Sequence, residues 1–81
     1  MNFEQFIECV AHELEQAEKK HPNFPTDIVH GVAIMAEESG EAVQAALHCH
    51  YEGGNEAHLV NELVQTSAMC FRLIKSISDK K

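Results

Sequence analysis

The chain has 81 residues, with six Lys and Arg, thirteen Asp and Glu, and a formal charge of −7. That length allows one domain, residues 1–81, and a chain so short buries a modest share of its surface, so self-association is expected to complete its core. The acidic balance argues against a nucleic-acid backbone or an anionic membrane as partner, because either would need a basic face. No apolar run approaches the ~20 residues of a membrane span. The three cysteines, Cys9, Cys49 and Cys70, form no CxxC pair, which predicts a reduced, cytoplasmic setting.

The first element spans about 3–20. Phe3, Phe6, Ile7, Val10, Leu14 and Ala17 keep the three-four rhythm of an amphipathic helix, Asn2 can cap it, and Lys19 and Lys20 complement its carbonyl end. Pro22 and Pro25 stop it and make 21–26 a connection. Phe24, between those prolines, either stacks on a base or staples the next helix.

The second helix is predicted over about 27–51, capped by Thr26 or Asp27, with Ile28, Val32, Met35, Val43, Ala46 and Leu47 facing the core. Gly31 and Gly40 weaken it, which a close backbone approach by a neighbour would explain. Gly53-Gly54 ends it. Asn55 caps a third helix over about 56–78, whose stripe is Leu59, Leu63, Val64, Ala68, Phe71, Ile74 and Ile77. The fold class expected is all-α: three antiparallel helices that form a four-helix-bundle-like core by homo-oligomerisation, as a homodimer or homotetramer.

Chemistry is concentrated in Glu37-Glu38-Ser39-Gly40-Glu41. Glu38 and Glu41, or Glu37 and Glu41, fall on one helical face, where like charges repel unless a cation lies between them. Folding back at Gly53 sets Glu41, twelve residues before it, level with Gln65, twelve after it, and brings Glu38 and Glu62 within about a turn at ~1.5 Å per residue. The same folding gathers Lys19, Lys20, Arg72, Lys75, Lys80 and Lys81 at one pole. Arg72 follows Gln65 by seven positions and lies roughly 10 Å above it on the same face.

Three glutamate side chains suit a small hard ion with oxygen ligands, Mg²⁺ with Mn²⁺ as substitute, shared with substrate phosphates. Such an ion would offset the repulsion and activate water, with a spare glutamate as base and Arg72 or Lys75 neutralising a leaving pyrophosphate.

Glu37-Glu38-Ser39-Gly40-Glu41, followed after twenty residues by Glu62-Leu63-Val64-Gln65, resembles the EExxE…ExxD signature of the MazG-like, all-α nucleoside triphosphate pyrophosphohydrolases and their dUTPase relatives. The likeness runs from about His21 to Ile74 and includes the His30-Gly31 stretch upstream of Glu37-Glu38. It implies hydrolysis of a (deoxy)nucleoside triphosphate to monophosphate and pyrophosphate with Mg²⁺ in a helical dimer or tetramer. It also implies that Glu38, Glu41, Glu62 and Gln65 bind the metal. Glu37 is then a further ligand or base, and Glu37 and Glu38 are the candidate catalytic pair. Gln65 stands where the signature has Asp; an amide oxygen ligates or holds a water but brings no charge.

The alternative is a catalytically impaired helical module acting in nucleotide binding or protein interaction. Glutamates on a helix are commonly a solvated face, and a cation near a helix C-terminus needs no function. His48-Cys49-His50 lacks zinc spacing, because alternate helical residues face apart. The Glu18–His21 pair is a single ExxH copy without its partner.

Overall fold

In the computed structural model, residues 1–79 are described and form three helices, α1 (Phe3–Lys20), α2 (Ile28–Glu52) and α3 (Glu56–Ser78), with no strand among them. Lys80 and Lys81, expected at the basic pole, lie outside the described residues.

Each start is fixed locally. Asn2 Oδ1 accepts from the Gln5 amide at 2.8 Å while Gln5 Oε1 accepts from the Asn2 amide at 2.8 Å, a reciprocal capping box. Asp27, rather than Thr26, caps α2 by accepting from the Val29 and His30 amides. Asn55 does the same for α3 through the Ala57 amide at 2.7 Å. Gly53 closes α2 with φ 70°, a left-handed conformation natural to glycine, and the Gly54 amide then donates to the His48 carbonyl at 3.0 Å.

Helix α3 lies in the middle, packed on both other helices, while α1 and α2 do not pack on each other. Gly31 near the start of α2 meets Leu73 near the end of α3, so these two run antiparallel. At that same end of α3, Arg72 Nη2 donates to the His21 carbonyl at 2.6 Å and Ser76 Oγ donates to the Pro25 carbonyl at 3.2 Å. Two α3 side chains therefore fasten the α1–α2 connection, and α1 runs up beside α3.

The expected core faces need correction. Among the described residues the buried apolar ones are Ala42, Ala45, Val64 and Ala68, and no large side chain is fully enclosed. Of the α2 residues expected to face a core, Ile28, Val32, Val43 and Leu47 are 51, 42, 59 and 53 % exposed. On α3, Leu63, Phe71 and Ile74 are likewise exposed, as are Phe3 and Ile7 on α1. Small residues face inward on α2 because Gly31, Ala42 and Ala45 let the helices approach closely, which turns the bulkier stripe to the far side.

Gly31 is crowded, but by side chains and not by the neighbouring backbone expected of it: a Cβ there would stand 2.8 Å from Leu73 Cδ1 and 3.3 Å from Phe24 Cε1. Gly40 does not, since a Cβ would meet nothing within 4 Å in the chain. No described helix is long and apolar enough to cross a membrane.

Candidate metal centre

The hairpin at Gly53 brings Glu38 and Glu41 of α2 against Glu62 of α3, with one carboxylate oxygen from each lying within 4.8 Å of the others. Glu62 is only 8 % exposed, Glu38 is half-buried and Glu41 is exposed. The Oε2 atoms of Glu38 and Glu62 are both enclosed with no hydrogen-bond partner. An enclosed carboxylate oxygen without a donor carries a desolvation cost that nothing in the described chain returns.

Protonation responds accordingly. Desolvation is the main cause that raises the Glu38 pKa above the ordinary value, followed by the neighbouring charges of Glu41 and Glu62. Glu62 is raised first by desolvation and then by Glu41, while His58, 3.8 Å away through Nε2, pulls weakly the other way. These are the shifts of acids gathered without a counter-charge.

A cleft of about 610 Å³ opens beside this trio between α1 and α2, with α3 as its floor. Glu37, Glu38 and Gln65 line it, and Arg72 lies at its other end. Glu41 and Glu62 instead border a neighbouring groove between α2 and α3, with Gln44, His48 and His58. The trio thus separates two openings. Lys75 lies apart from the cleft, on a groove beside the α1–α2 connection, where its Nζ pairs with Asp79 at 2.9 Å.

Two neighbours, Glu13 and His58, escaped the sequence reading, and Phe24 has a contact that it did not foresee. Glu13 of α1 lines the cleft and adds to the raised pKa of both Glu38 and Glu62. The counting that paired Glu41 with Gln65 would have found it, since Glu13 precedes His21 by eight residues and Val64 precedes Arg72 by eight, and His21 and Arg72 touch. His58 stands four residues before Glu62, a spacing that puts both on one face. Phe24 neither stacks in open space nor simply staples α2: its ring lies under the Arg72 guanidinium, 5.1 Å from the centroid.

The donor set suits a hard divalent ion. Three carboxylates from two helices, with the Gln65 amide beside them, offer oxygens only, and the two orphaned Oε2 atoms are what a cation would satisfy. No family model, curated protein or solved structure matches the chain.

Proposed function

We propose that this chain is a divalent-metal-dependent hydrolase that converts a (deoxy)nucleoside triphosphate to the monophosphate and pyrophosphate. The observation that carries the reading is the enclosed, unpartnered pair of carboxylate oxygens on Glu38 and Glu62, within a trio whose ligand atoms span 4.8 Å. Glu38, Glu41 and Glu62 would hold Mg²⁺, or Mn²⁺ in its place, and Gln65 would orient a water from the cleft wall. When bound, such an ion supplies charge neutralisation for a polyphosphate and activation of water. Glu37, exposed at the rim, would take a proton from the attacking water, and Arg72 would be the cation for the phosphates. Lys75, held by Asp79 outside the cleft, would reach a substrate only after leaving that pair.

Self-association belongs to the same reading. The outward stripe of α2, Ile28, Val32, Val43 and Leu47, is more apolar and more exposed than a stable small domain leaves uncovered. Gly40 lies in that stripe with open space at its Cβ, room for a second backbone. A second copy packing its α2–α3 hairpin there would give the four-helix core.

The test is pyrophosphate release from a panel of NTPs and dNTPs with Mg²⁺. Turnover is expected with at least one of them, and Glu38→Gln or Glu62→Gln should lower it by about 10²-fold or more, as removal of a key electrostatic group does. No release from any of them by folded protein would sink catalysis.

The second reading is a non-catalytic module that uses the same apolar faces to bind a partner. Gln65 favours it, because the wall of the site lacks the charge that Asp would bring. Gln65→Asp separates the two: a large gain in metal affinity and turnover marks the native chain as impaired, and unchanged activity shows that glutamine suffices.

A further inference from the structure

The cleft has two electrically opposite ends, and the proposed hydrolase, with its metal at one and Arg72 at the other, leaves open what holds Arg72 ready. Arg72 is 8 % exposed, yet among the described residues it has no carboxylate partner. Its contacts are one donated hydrogen bond, from Nη2 to the His21 carbonyl at 2.6 Å, and the face of Phe24 at 5.1 Å from the centroid. A guanidinium has five N–H donors in a planar fork, and a buried cation left without an anion is costly. Lys20 and His30 line the same cleft, and Lys20 too has no ion-pair partner among the described residues.

We infer that this end of the cleft is an anion subsite, built on Arg72 with Lys20 and His30, that takes the terminal phosphates of a polyphosphate, and that Phe24 is the residue that positions Arg72 for it. Phe24 is itself held in place. The missing side chain of Gly31 lets its ring close against α2, where a Cβ would stand 3.3 Å from Phe24 Cε1. One ring face then supports the guanidinium, as cation–π contacts do, while the bond to His21 fixes its in-plane direction. Arg72 lines both this cleft and the neighbouring groove that holds Lys75, and the guanidinium has more donors than the bond to His21 uses.

Helix geometry makes the two ends compatible with one ligand. Side chains on a helix lean toward its N-terminus, so the Arg72 head comes back toward Gln65 from a Cα about 10 Å further along. A chain of phosphates reaching from the carboxylate trio toward this head would have its leaving pyrophosphate, not its nucleoside, at the basic end. The inference rests on the hydrolase reading for the identity of the ligand as a polyphosphate, but the binding of the anion itself needs no metal and no turnover.

The probe is inorganic pyrophosphate, titrated calorimetrically into the whole chain in EDTA. The wild type is expected to bind, Arg72→Gln to bind about tenfold or more weakly, and Arg72→Lys to recover little, because an ammonium neither forks nor stacks in the same way. Phe24→Leu, which keeps the arginine, should weaken binding several-fold. Because Arg72 also fastens the connection, Phe24→Leu and Lys20→Gln carry the test if Arg72→Gln melts below the assay temperature. Wild type that fails to bind, or Arg72→Gln and Phe24→Leu proteins that bind as well as wild type, would overturn the subsite. Pyrophosphate binding without hydrolysis of any triphosphate would leave the subsite standing and remove the hydrolase.

Discussion

The two sides of α2 differ in a way that runs against the ordinary amphipathic pattern. Toward α3 the helix presents Gly31, Ala42 and Ala45 with the carboxylate of Glu38 among them; away from it stand Ile28, Val32, Val43 and Leu47. Small residues allow close helix approach but bury little apolar area, and burial contributes about 25 cal/mol per Å². The inner face therefore brings acids together at the expense of stability, and the outer face keeps most of the unspent hydrophobic surface. A chain built this way holds its acidic trio within one copy and, on the proposed reading, would draw further cohesion from a second.

The largest effect should come from the outer face. Replacing Val43 and Leu47 together by Glu is expected to weaken self-association by 100-fold or more, about 3 kcal/mol, with a clear fall in melting temperature. Sedimentation equilibrium reads this directly. If the wild type is already a stable monomer at tens of micromolar, the contrast between the two faces loses its explanation.

On the inner face, Glu62→Gln removes a buried charge from the trio. Without metal it should stabilise the chain, since the wild-type carboxylate is desolvated beside like charges. With Mg²⁺ the order reverses, because the variant binds the ion at least tenfold more weakly. Melting curves with and without Mg²⁺ show whether that reversal occurs; equal responses of the two proteins would end the metal-centred view of this face.

The pH dependence follows from the same groups. Glu38 and Glu62 have folded-state pKa values raised above the ordinary glutamate value of 4.5, so between that value and the raised ones the folded chain binds more protons than the unfolded chain. Their favourable contribution is complete below about pH 4.5 and is lost as pH rises through the raised values. Metal-free melting temperatures should therefore fall over that window, and saturating Mg²⁺ should flatten the fall. A rise with pH in EDTA would contradict the geometry of the trio.

The smallest effect compares two glycines on the two faces. Gly40→Ala removes backbone entropy from the unfolded chain and meets nothing within 4 Å among the described residues, so the dissociated chain should gain about 0.5–1 kcal/mol, a gain that a second copy seated at Gly40 would cancel. Gly31→Ala has the same intrinsic gain but must displace Leu73 Cδ1, at 2.8 Å, and press on Phe24. It should be less stable than Gly40→Ala by about 1 kcal/mol, the lower range for overpacking. Denaturant titration of both variants measures the difference. A loss at Gly40 would put a second backbone against that position.

Much of this was legible before any coordinates. Asn2, Asp27 and Asn55 announce three helix starts, because each carries a short acceptor side chain just before an apolar rhythm, and Gly53 announces the fold-back because it can take a positive φ. Counting outward from that glycine was enough to bring Glu38, Glu41 and Glu62 together, since two helices of constant rise leaving one turn keep step. The sequence did not reveal which of two apolar stripes on α2 would meet α3. Periodicity shows that a face is apolar; it does not show what covers it, and here the small-residue side won by allowing closer approach.

What the amino-acid order determined by itself is local: helix ends, the turn between α2 and α3, and the level at which the acids of those two helices meet. Tertiary packing alone decided that α1 lies on α3 without touching α2, which opens the cleft and adds Glu13 to it. It also decided that Arg72 is buried over Phe24 without an acid partner among the described residues. The physical reason is range. Caps, turns and helical rise act over a few residues and can be read in order, whereas burial and the isolation of a charge depend on neighbours about fifty positions away, as Arg72 and His21 are.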